Sequence, residues 1–183
     1  MRPSRAAMPP KPDYFEQTVL VHLDAAYNLA RWLTGDAVVA EDVVQEAALR
    51  ALRAFDSLSG PNPKAWFMTV VRNASIDWLR GGKQRAKEQA YDEDLHGRFE
   101  PDAGEGPEAQ AMRAANARRV RSAIAALPLE FREVIVLREL EELSYKEISA
   151  IVNVPIGTVM SRISRGRDLL AADLRGGARR AVT

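Results

Sequence analysis

Residues 143–167 constrain the fold of this chain more than any other stretch, because they are typical of two helices joined by a tight turn. Ser144 and Glu147 have the spacing of a capping box, which predicts the start of a helix. Pro155 predicts the end of that helix, since proline has no backbone donor and disfavours helical backbone at the residue before it. We expect a second helix to begin at about Ile156.

The second helix is predicted to have one apolar side and one polar side. At roughly 100° per residue, the inward side carries Ile156, Val159, Ile163, Arg167 and Leu170. The free side carries Thr158, Ser161, Ser164, Arg165 and Asp168, with Arg162 at its edge. Small hydroxyls allow close approach and arginine binds guanine or phosphate, so this side suits the major groove of DNA. A solvated amphipathic helix pair is the alternative; the capping box, the proline and the arginine cluster favour DNA binding.

Composition excludes several other functions. The chain has 183 residues, enough for one medium domain or two small ones, and a hydrophobic content of 46%, which is ordinary for a globular protein. It has no cysteine, which excludes disulfides, thiolate zinc sites and cysteine nucleophiles and fits a cytoplasmic protein. His22 and His96 are far apart and lie in no metal-ligand pattern, so no cofactor is expected. No apolar run approaches the ~20 residues of a membrane span, and we expect no membrane insertion.

Charge is unevenly distributed although the net charge is only +1. Residues 72–87 include five basic side chains and one acidic side chain, whereas residues 88–108 include eight acidic side chains and one arginine. The acidic stretch also has several glycines and prolines and few large apolar residues, so it cannot bury enough surface to offset the entropy of ordering. We predict a flexible acidic linker at residues 88–110, a disordered leader at 1–12 and a frayed tail at 176–183.

The region before the linker has helical periodicity throughout. Apolar residues recur at helical spacing around residues 14–33, and Gly35 and Asp36 predict a stop and a restart. The next predicted helix, at about 36–55, has Val39, Val43, Ala47, Ala51 and Phe55 along one side. Its opposite side carries Asp42, Gln45 and Glu46. A solvated face is the plain interpretation of this patch, and acid–base catalysis is not supported by any companion histidine, metal pattern or glycine-rich phosphate loop.

A polar loop at residues 56–63 precedes another predicted helix at about 64–79. Its buried stripe is predicted to contain Phe67, Val71, Ala74 and Trp78. The rest of its circumference carries Trp66, Thr69, Arg72, Asn73, Ile76 and Arg80. A mixture of aromatic, amide and arginine groups beside a basic tail suits single-stranded or distorted DNA, where bases stack and phosphates need cations. Trp66 is equally compatible with a core position.

After the linker, helices are predicted at residues 109–126 and 129–140, separated by Leu127 and Pro128. The second of these has strong apolar periodicity and is expected to support the helix-turn-helix. The predicted fold is therefore all-α, with two small helical domains at residues 13–87 and 111–175. The flexible acidic linker joins them, and the C-terminal domain contains the helix-turn-helix.

Three segments match a known pattern: AEDVVQEA at residues 40–47, AWFMTVVRNASIDWLR at 65–80, and LPLEFREVIVLREL at 127–140 running into GTVMSR at 157–162. In this order and spacing, the chain resembles the bacterial RNA polymerase sigma factors of the extracytoplasmic-function (ECF) group, group IV of the sigma-70 family. The resemblance covers residues 14–174. It implies that residues 13–87 are sigma region 2, and that residues 111–175 are sigma region 4.

The resemblance also implies roles for individual residues. Those that bind the β′ clamp helices of core RNA polymerase would be Asp42, Gln45 and Glu46. Those that recognise and melt the minus-10 element would be Asp56, Ser57, Ser59, Asn62, Trp66, Arg72, Asn73, Asp77, Arg80, Lys83 and Arg85, with the loop at 56–62 capturing a flipped-out base. Those that read the minus-35 element would be Thr158, Ser161, Arg162, Ser164 and Arg165. Family members often have a basic residue where this chain has Met160, so that contact is expected to be absent or apolar.

The implied function is promoter recognition and opening for transcription initiation, in a stress or envelope response and without catalysis or a small-molecule substrate. The implied partners are core RNA polymerase (β′ clamp helices and β flap), promoter DNA and an anti-sigma factor. One alternative is a helix-turn-helix transcriptional regulator with an N-terminal sensor or dimerisation domain. Another is a nucleic-acid enzyme, which would need a metal or nucleophile constellation that the sequence does not contain.

Overall fold

The computed structural model describes residues 11–58, 62–82 and 106–180, and no strand occurs within these ranges. Their α-helices are α1 (Lys11–Thr18), α2 (Leu23–Thr34), α3 (Ala37–Arg53), α4 (Pro63–Gly82), α5 (Pro107–Ala126), α6 (Leu129–Ile135), α7 (Tyr145–Val152) and α8 (Ile156–Arg180). Short 3-10 helices lie at Leu20–His22 and Phe55–Ser57. The predicted all-α fold is confirmed. The predicted leader lies outside the described residues up to residue 10, as does most of the predicted linker.

The break between α2 and α3 follows from local chemistry. Gly35 ends α2 with a φ of 79°, a left-handed conformation that glycine adopts without steric cost. Asp36 then caps α3 by accepting a hydrogen bond from the Val39 backbone at 3.0 Å. The predicted stop and restart is thus confirmed. The helical stretch expected around residues 14–33 is instead divided into α1, a 3-10 helix and α2.

Helices α2, α3 and α4 pack on one another to form the N-terminal core. Its largest fully buried side chains include Phe67, Leu29, Leu33 and Met68. The prediction that Trp78 lies in this core is wrong, because its side chain is 38% exposed. Helical periodicity gives the direction of a side chain around the helix. It does not give how far along the helix the neighbouring elements continue to cover it.

The C-terminal helix-turn-helix has the predicted boundaries. The capping box is present: the Ser144 backbone donates to the Glu147 carboxylate at 2.7 Å, and the Glu147 backbone donates to the Ser144 hydroxyl at 3.3 Å. Asn153 ends α7 in a left-handed conformation, with a φ of 55°. α8 then begins at Ile156, whose side chain is exposed rather than buried as expected, because this first turn projects beyond the core.

Helix α8 rests on α6, which differs from the predicted helix at residues 129–140. The α-helix ends at Ile135 and continues as a π-helical turn at Val136–Leu140. Gly166 of α8 is buried against Ile135, and this contact fixes the distance between the two helices. At its other end α8 extends to Arg180, so part of the predicted frayed tail is helical.

The helices from the two predicted domains also pack on each other, α4 against α7 and α2 against α6. Polar contacts cross this boundary as well: Arg72 of α4 meets Glu133 of α6, and Arg132 of α6 donates to the Trp32 carbonyl of α2 at 3.1 Å. Within the described ranges, no helix combines the length and apolarity that a membrane crossing requires.

Candidate nucleic-acid interface

The predicted reading face of α8 is directed to solvent. Ser161, Ser164 and Arg165 are exposed and Thr158 is half-buried, while Val159 and Ile163 hold the opposite side of the helix in the core. The Ser161 hydroxyl donates to the Thr158 carbonyl at 2.9 Å, so it is held against its own helix and does not project from the face. This helix therefore presents hydroxyls and a guanidinium to whatever approaches it.

Arg162 differs from Arg165 although both are in the same helix. One Arg162 nitrogen lies 3.5 Å from the Glu133 carboxylate, and another lies 3.6 Å from that of Glu130. Its side chain is thereby turned from the reading face towards α6. Arg167, expected on the inner side, is exposed and lies 2.6 Å from Glu139 of the π-helical turn. Arg165 is the predicted minus-35 arginine that this structure leaves facing solvent.

Two apolar side chains extend the α8 face at its N-terminal end. Met160 and Ile156 are both exposed, in contrast to the buried Val159 between them. A methionine or isoleucine in a groove contacts the thymine methyl group or sugar carbons, and contributes no charge. Met160 is the position at which the sequence departs from the family pattern. The structure leaves this apolar side chain exposed to solvent.

Helix α4 carries the predicted minus-10 side chains on two of its sides. Asn73, Asp77 and Arg80 are all exposed and follow one another at intervals of four and three residues, so they form one line along the helix. Arg72 and Trp66 are half-buried. The Arg72 guanidinium binds the Glu133 carboxylate at two points, 2.9 Å and 3.3 Å.

The segment before α4 is partly described. Asp56 and Ser57 are exposed in the short 3-10 helix, where the Ser57 hydroxyl donates to the Ala54 carbonyl. Asn62 caps α4 by accepting from the Ala65 backbone at 3.0 Å, and its side-chain amide donates to the Glu147 carboxylate. The remaining predicted residues of this site, Ser59, Lys83 and Arg85, lie outside the described residues.

The predicted polymerase-binding residues form one exposed face on α3. Asp42, Gln45 and Glu46 are all exposed, on the side opposite the buried Val43 and Ala47. The face therefore presents carboxylates to solvent, where a partner that carries basic side chains can reach them.

Sequence reasoning missed two apolar members of the α3 face. Val38 is 69% exposed and Leu49 is 50% exposed, and their spacing from Asp42 puts both on its side of the helix. The sequence did contain a signal for Val38 and Leu49. Both are large apolar residues, and they lie four residues before and seven residues after Asp42, which places them on the same side of a helix. We define the α3 face as Val38, Asp42, Gln45, Glu46 and Leu49.

Arg50 connects the α3 face to the line of residues on α4. Its guanidinium donates to Glu46 at 2.8 Å and to Asp77 at 3.2 Å. The hydrogen bonds to Glu46 and then to Asp77 raise the pKa of Arg50 above its ordinary value. Asp77 is thus held in place by a residue of the neighbouring helix. Among the described residues, no group of histidine and acidic side chains is arranged to hold a metal ion.

Both helical regions of this chain are similar to regions of known proteins. The family description "Sigma-70 region 2" matches residues 18–85, and "Sigma-70, region 4" matches residues 117–170. The chain is 34% identical to the ECF RNA polymerase sigma factor SigE of Mycolicibacterium smegmatis over 91% of its own length, but spans only 62% of that relative. It is 32% identical to the ECF RNA polymerase sigma factor SigW of Bacillus subtilis, over 89% of this chain and 90% of the relative.

A solved structure is similar over both helical regions. The sigma factor RpoE of Bartonella quintana, in complex with the anti-sigma factor NepR, has a TM-score of 0.69 and 29% identity to this chain. The match covers 88% of this chain and 96% of the other, so it includes helices on both sides of the predicted linker. The chain belongs to the extracytoplasmic-function sigma factors of RNA polymerase.

Proposed function

We propose that this chain binds core RNA polymerase and directs promoter recognition and opening at the start of transcription. The observation that carries this proposal is the orientation of α8, in which Val159 and Ile163 are buried and Ser161, Ser164 and Arg165 face solvent. A helix oriented in this way reads base edges in the major groove with its polar side. The chain acts by binding, and we assign it no catalytic step.

We assign the two DNA elements to the two ends of the chain. Residues 13–87 form region 2 and residues 111–175 form region 4; the matched ranges 18–85 and 117–170 lie within these bounds. Region 4 holds the minus-35 duplex through α8. Region 2 recognises the minus-10 element through Asn73, Asp77 and Arg80 of α4, and captures an unpaired base near Asp56 and Asn62. Capture of extruded bases together with polymerase contacts supplies the free energy of opening, so no nucleotide hydrolysis is needed.

The α3 face is the proposed contact with the polymerase. The polar residues Asp42, Gln45 and Glu46 supply charge and hydrogen-bonding groups. Val38 and Leu49 supply apolar area at the two ends of the face. Apolar contacts within a polar surround are the usual composition of a specific protein interface. We propose that the partner surfaces are the β′ clamp helices for α3 and the β flap for region 4.

We also propose that an anti-sigma factor regulates this chain in a stress or envelope response. The similar sigma factor RpoE is bound to the anti-sigma factor NepR, and a second similar structure, CnrH, is bound to the cytosolic domain of CnrY. CnrH has a TM-score of 0.64 and 26% identity to this chain. Because bacterial polymerase and chromosome share the cytoplasm, the proposed site of action is cytoplasmic.

Reconstituted transcription tests the proposal. The purified chain is added to core RNA polymerase on a library of promoter fragments, and transcripts are sequenced. We expect initiation from a defined set of promoters that core polymerase alone does not use. A helix-turn-helix regulator would instead bind palindromic duplex without polymerase and leave initiation by the core unchanged. That result would refute the sigma assignment.

A charge reversal tests the polymerase face separately. Asp42→Lys is expected to abolish binding to core polymerase while leaving helix content unchanged, because Asp42 faces away from the buried stripe. Glu41→Lys is the matched control: Glu41 is exposed on the same helix, but lies roughly 100° around it. Equal affinity of wild type and Asp42→Lys for the core would rule out this face.

A further inference from the structure

The two DNA-contacting regions of this chain are joined by contacts between charged and polar side chains. The three groups on the region 2 side are Asn62, Lys64 and Arg72. Each meets a glutamate of the C-terminal region: Glu147, Glu141 and Glu133 respectively. The resemblance to sigma factors implies minus-10 DNA contacts for Asn62 and Arg72, and we take both as DNA-binding residues. Glu147 and Glu133 therefore engage two side chains that promoter DNA is proposed to contact.

Glu133 is the centre of these contacts. Its side chain is only 3% exposed, and it accepts from Arg72 at 2.9 Å and 3.3 Å and from Arg162 at 3.5 Å. A buried carboxylate is costly unless it is paired and hydrogen-bonded, so its two arginine partners stabilise the packed arrangement. One of these arginines belongs to the region proposed to bind minus-10 DNA and the other to the helix proposed to bind minus-35 DNA.

Lys64 adds a second buried contact to the same boundary. Its ammonium group lies 3.2 Å from the Glu141 carboxylate, which is 6% exposed, and donates to the Glu141 backbone carbonyl at 3.0 Å. Both contacts link α4 to the chain between the π-helical turn and α7. The boundary is thus held at several separate points, together with the packing of α4 on α7.

The geometry at Arg72 excludes simultaneous DNA binding. A guanidinium offers the same paired N–H groups to a carboxylate and to a phosphate, so the Glu133 oxygens take the positions that phosphate oxygens would take. The cleft beside this pair has a volume of about 750 Å³ and is also lined by Ile76, Arg80 and Arg162. A phosphate that paired with Arg72 in the same way would have to displace the Glu133 carboxylate, which requires the two regions to separate at this boundary.

The α3 face is not involved in this closure. All five residues of the α3 face remain exposed while Arg72 and Arg162 are engaged. Polymerase can therefore reach its proposed contact on the closed chain, whereas minus-10 DNA cannot reach all of its own contacts.

We propose that Glu133 is an intramolecular latch, a carboxylate that holds Arg72 in a closed chain and competes with promoter DNA for it. The proposal rests on the proposed function, because it concerns access to the DNA-binding residues. It assigns a regulatory role to a residue with no DNA or polymerase contact of its own. Separation of region 2 from region 4 releases Arg72, while Glu133 retains Arg162 within the C-terminal helices.

The test measures the distance between the two regions in the full chain. Because the chain has no cysteine, Asp24→Cys on α2 and Ala150→Cys on α7 give two unique sites for nitroxide labels, both exposed. Double electron–electron resonance then reports the populations of closed and separated chains. We expect Glu133→Gln to increase the ratio of separated to closed chains about tenfold, because it removes the charge that holds Arg72.

Two further variants keep the result interpretable. Arg72→Gln breaks the same pair from the other side without altering the C-terminal core, and is expected to open the chain to a similar extent, with no further effect in the double variant. Glu130→Gln is the matched control, because Glu130 lies on the same helix and contacts Arg162 but not Arg72. We expect it to leave the distance distribution unchanged.

Binding to DNA completes the test. Affinity of the free chain for a fluorescein-labelled single-stranded oligonucleotide is expected to rise several-fold in Glu133→Gln and to stay unchanged in Glu130→Gln. Unchanged distances in both Glu133→Gln and Arg72→Gln would overturn the latch, as would opening without any gain in oligonucleotide affinity. Failure of the wild-type chain to direct transcription would overturn the proposed function instead, and the distance measurement does not depend on it.

Discussion

Gly166 on α8 and Ile135 on α6 are so close that a Cβ at position 166 would stand 2.8 Å from Ile135 Cγ1. Ile135 is itself almost fully buried and cannot move aside without disturbing its neighbours. The two helices approach at this point only because residue 166 has no side chain. Since α8 carries the proposed minus-35 contacts, the contact at Gly166 also positions the reading face.

We therefore expect Gly166→Ala to destabilise the C-terminal region by about 1–3 kcal/mol through overpacking, although alanine is the better helix former. Gly157→Ala is the matched control, because a Cβ at position 157 of the same helix meets nothing within 4 Å. Urea unfolding followed by circular dichroism gives both values. A Gly166→Ala chain as stable as Gly157→Ala would contradict the close contact.

Leu49 is expected to contribute to polymerase affinity. Leu49→Ala removes exposed apolar area from the α3 face and is predicted to weaken binding to core polymerase by about 1–2 kcal/mol. Val21→Ala is the control, because Val21 is also an exposed aliphatic residue but lies outside the α3 face. Titration with labelled core polymerase measures both. Equal losses in the two variants would show that Leu49 has no specific role.

Promoter opening is expected to depend on the exposed line along α4. Asn73→Ala and Arg80→Ala should leave core binding and upstream DNA contact nearly normal, and should reduce open complexes on the order of tenfold, because hydrogen bonds to charged and unpaired groups are lost. Permanganate reactivity of minus-10 thymines measures the open fraction. Wild-type reactivity in both variants would remove these residues from the opening step.

Sequence preference at the minus-35 element is expected to depend on Arg165. If Arg165 grips a base edge, Arg165→Ala costs about 1–3 kcal/mol and relaxes preference at one position. Arg162→Ala should change sequence preference less, because Arg162 is directed to Glu130 and Glu133. Transcription from a library of minus-35 variants at two salt concentrations distinguishes the two. A loss that is uniform across the library, with a shallower salt dependence, would assign Arg165 to phosphate instead.

Acidification is expected to weaken the start of α7. The pKa of Glu147 is lowered below 4.5, chiefly by the hydrogen bond from the Ser144 hydroxyl and then by that from the Ser144 backbone. The Glu147 carboxylate therefore binds a proton less readily in the folded state than in the unfolded state. Its stabilising contribution is present above about pH 4.5 and is lost as pH falls through the lower folded pKa. Unfolding free energies over this range should decline less steeply in Glu147→Gln and Ser144→Ala; parallel curves would contradict the prediction.

Local interactions explain what was predictable from the sequence. The capping box of Ser144 and Glu147 and the end of α7 before Pro155 each depend on groups a few residues apart, so the order of residues specifies them. The exposure of Asp42, Gln45 and Glu46 was predictable for a similar reason. Helical spacing alone puts them opposite the apolar stripe of α3.

Tertiary structure decided which of the predicted DNA-binding groups are free. Arg162 and Arg165 are the same type of residue in the same helix. Nevertheless, the Arg162 side chain is directed to Glu133, which is 29 residues away in sequence. Arg72 meets the same carboxylate from 61 residues away, and Gly166 is buried because Ile135 lies on the facing helix. Helical spacing gives the direction of a side chain around its own helix. The identity of the side chain it meets depends on how distant helices pack, and no local pattern in the sequence contains that information.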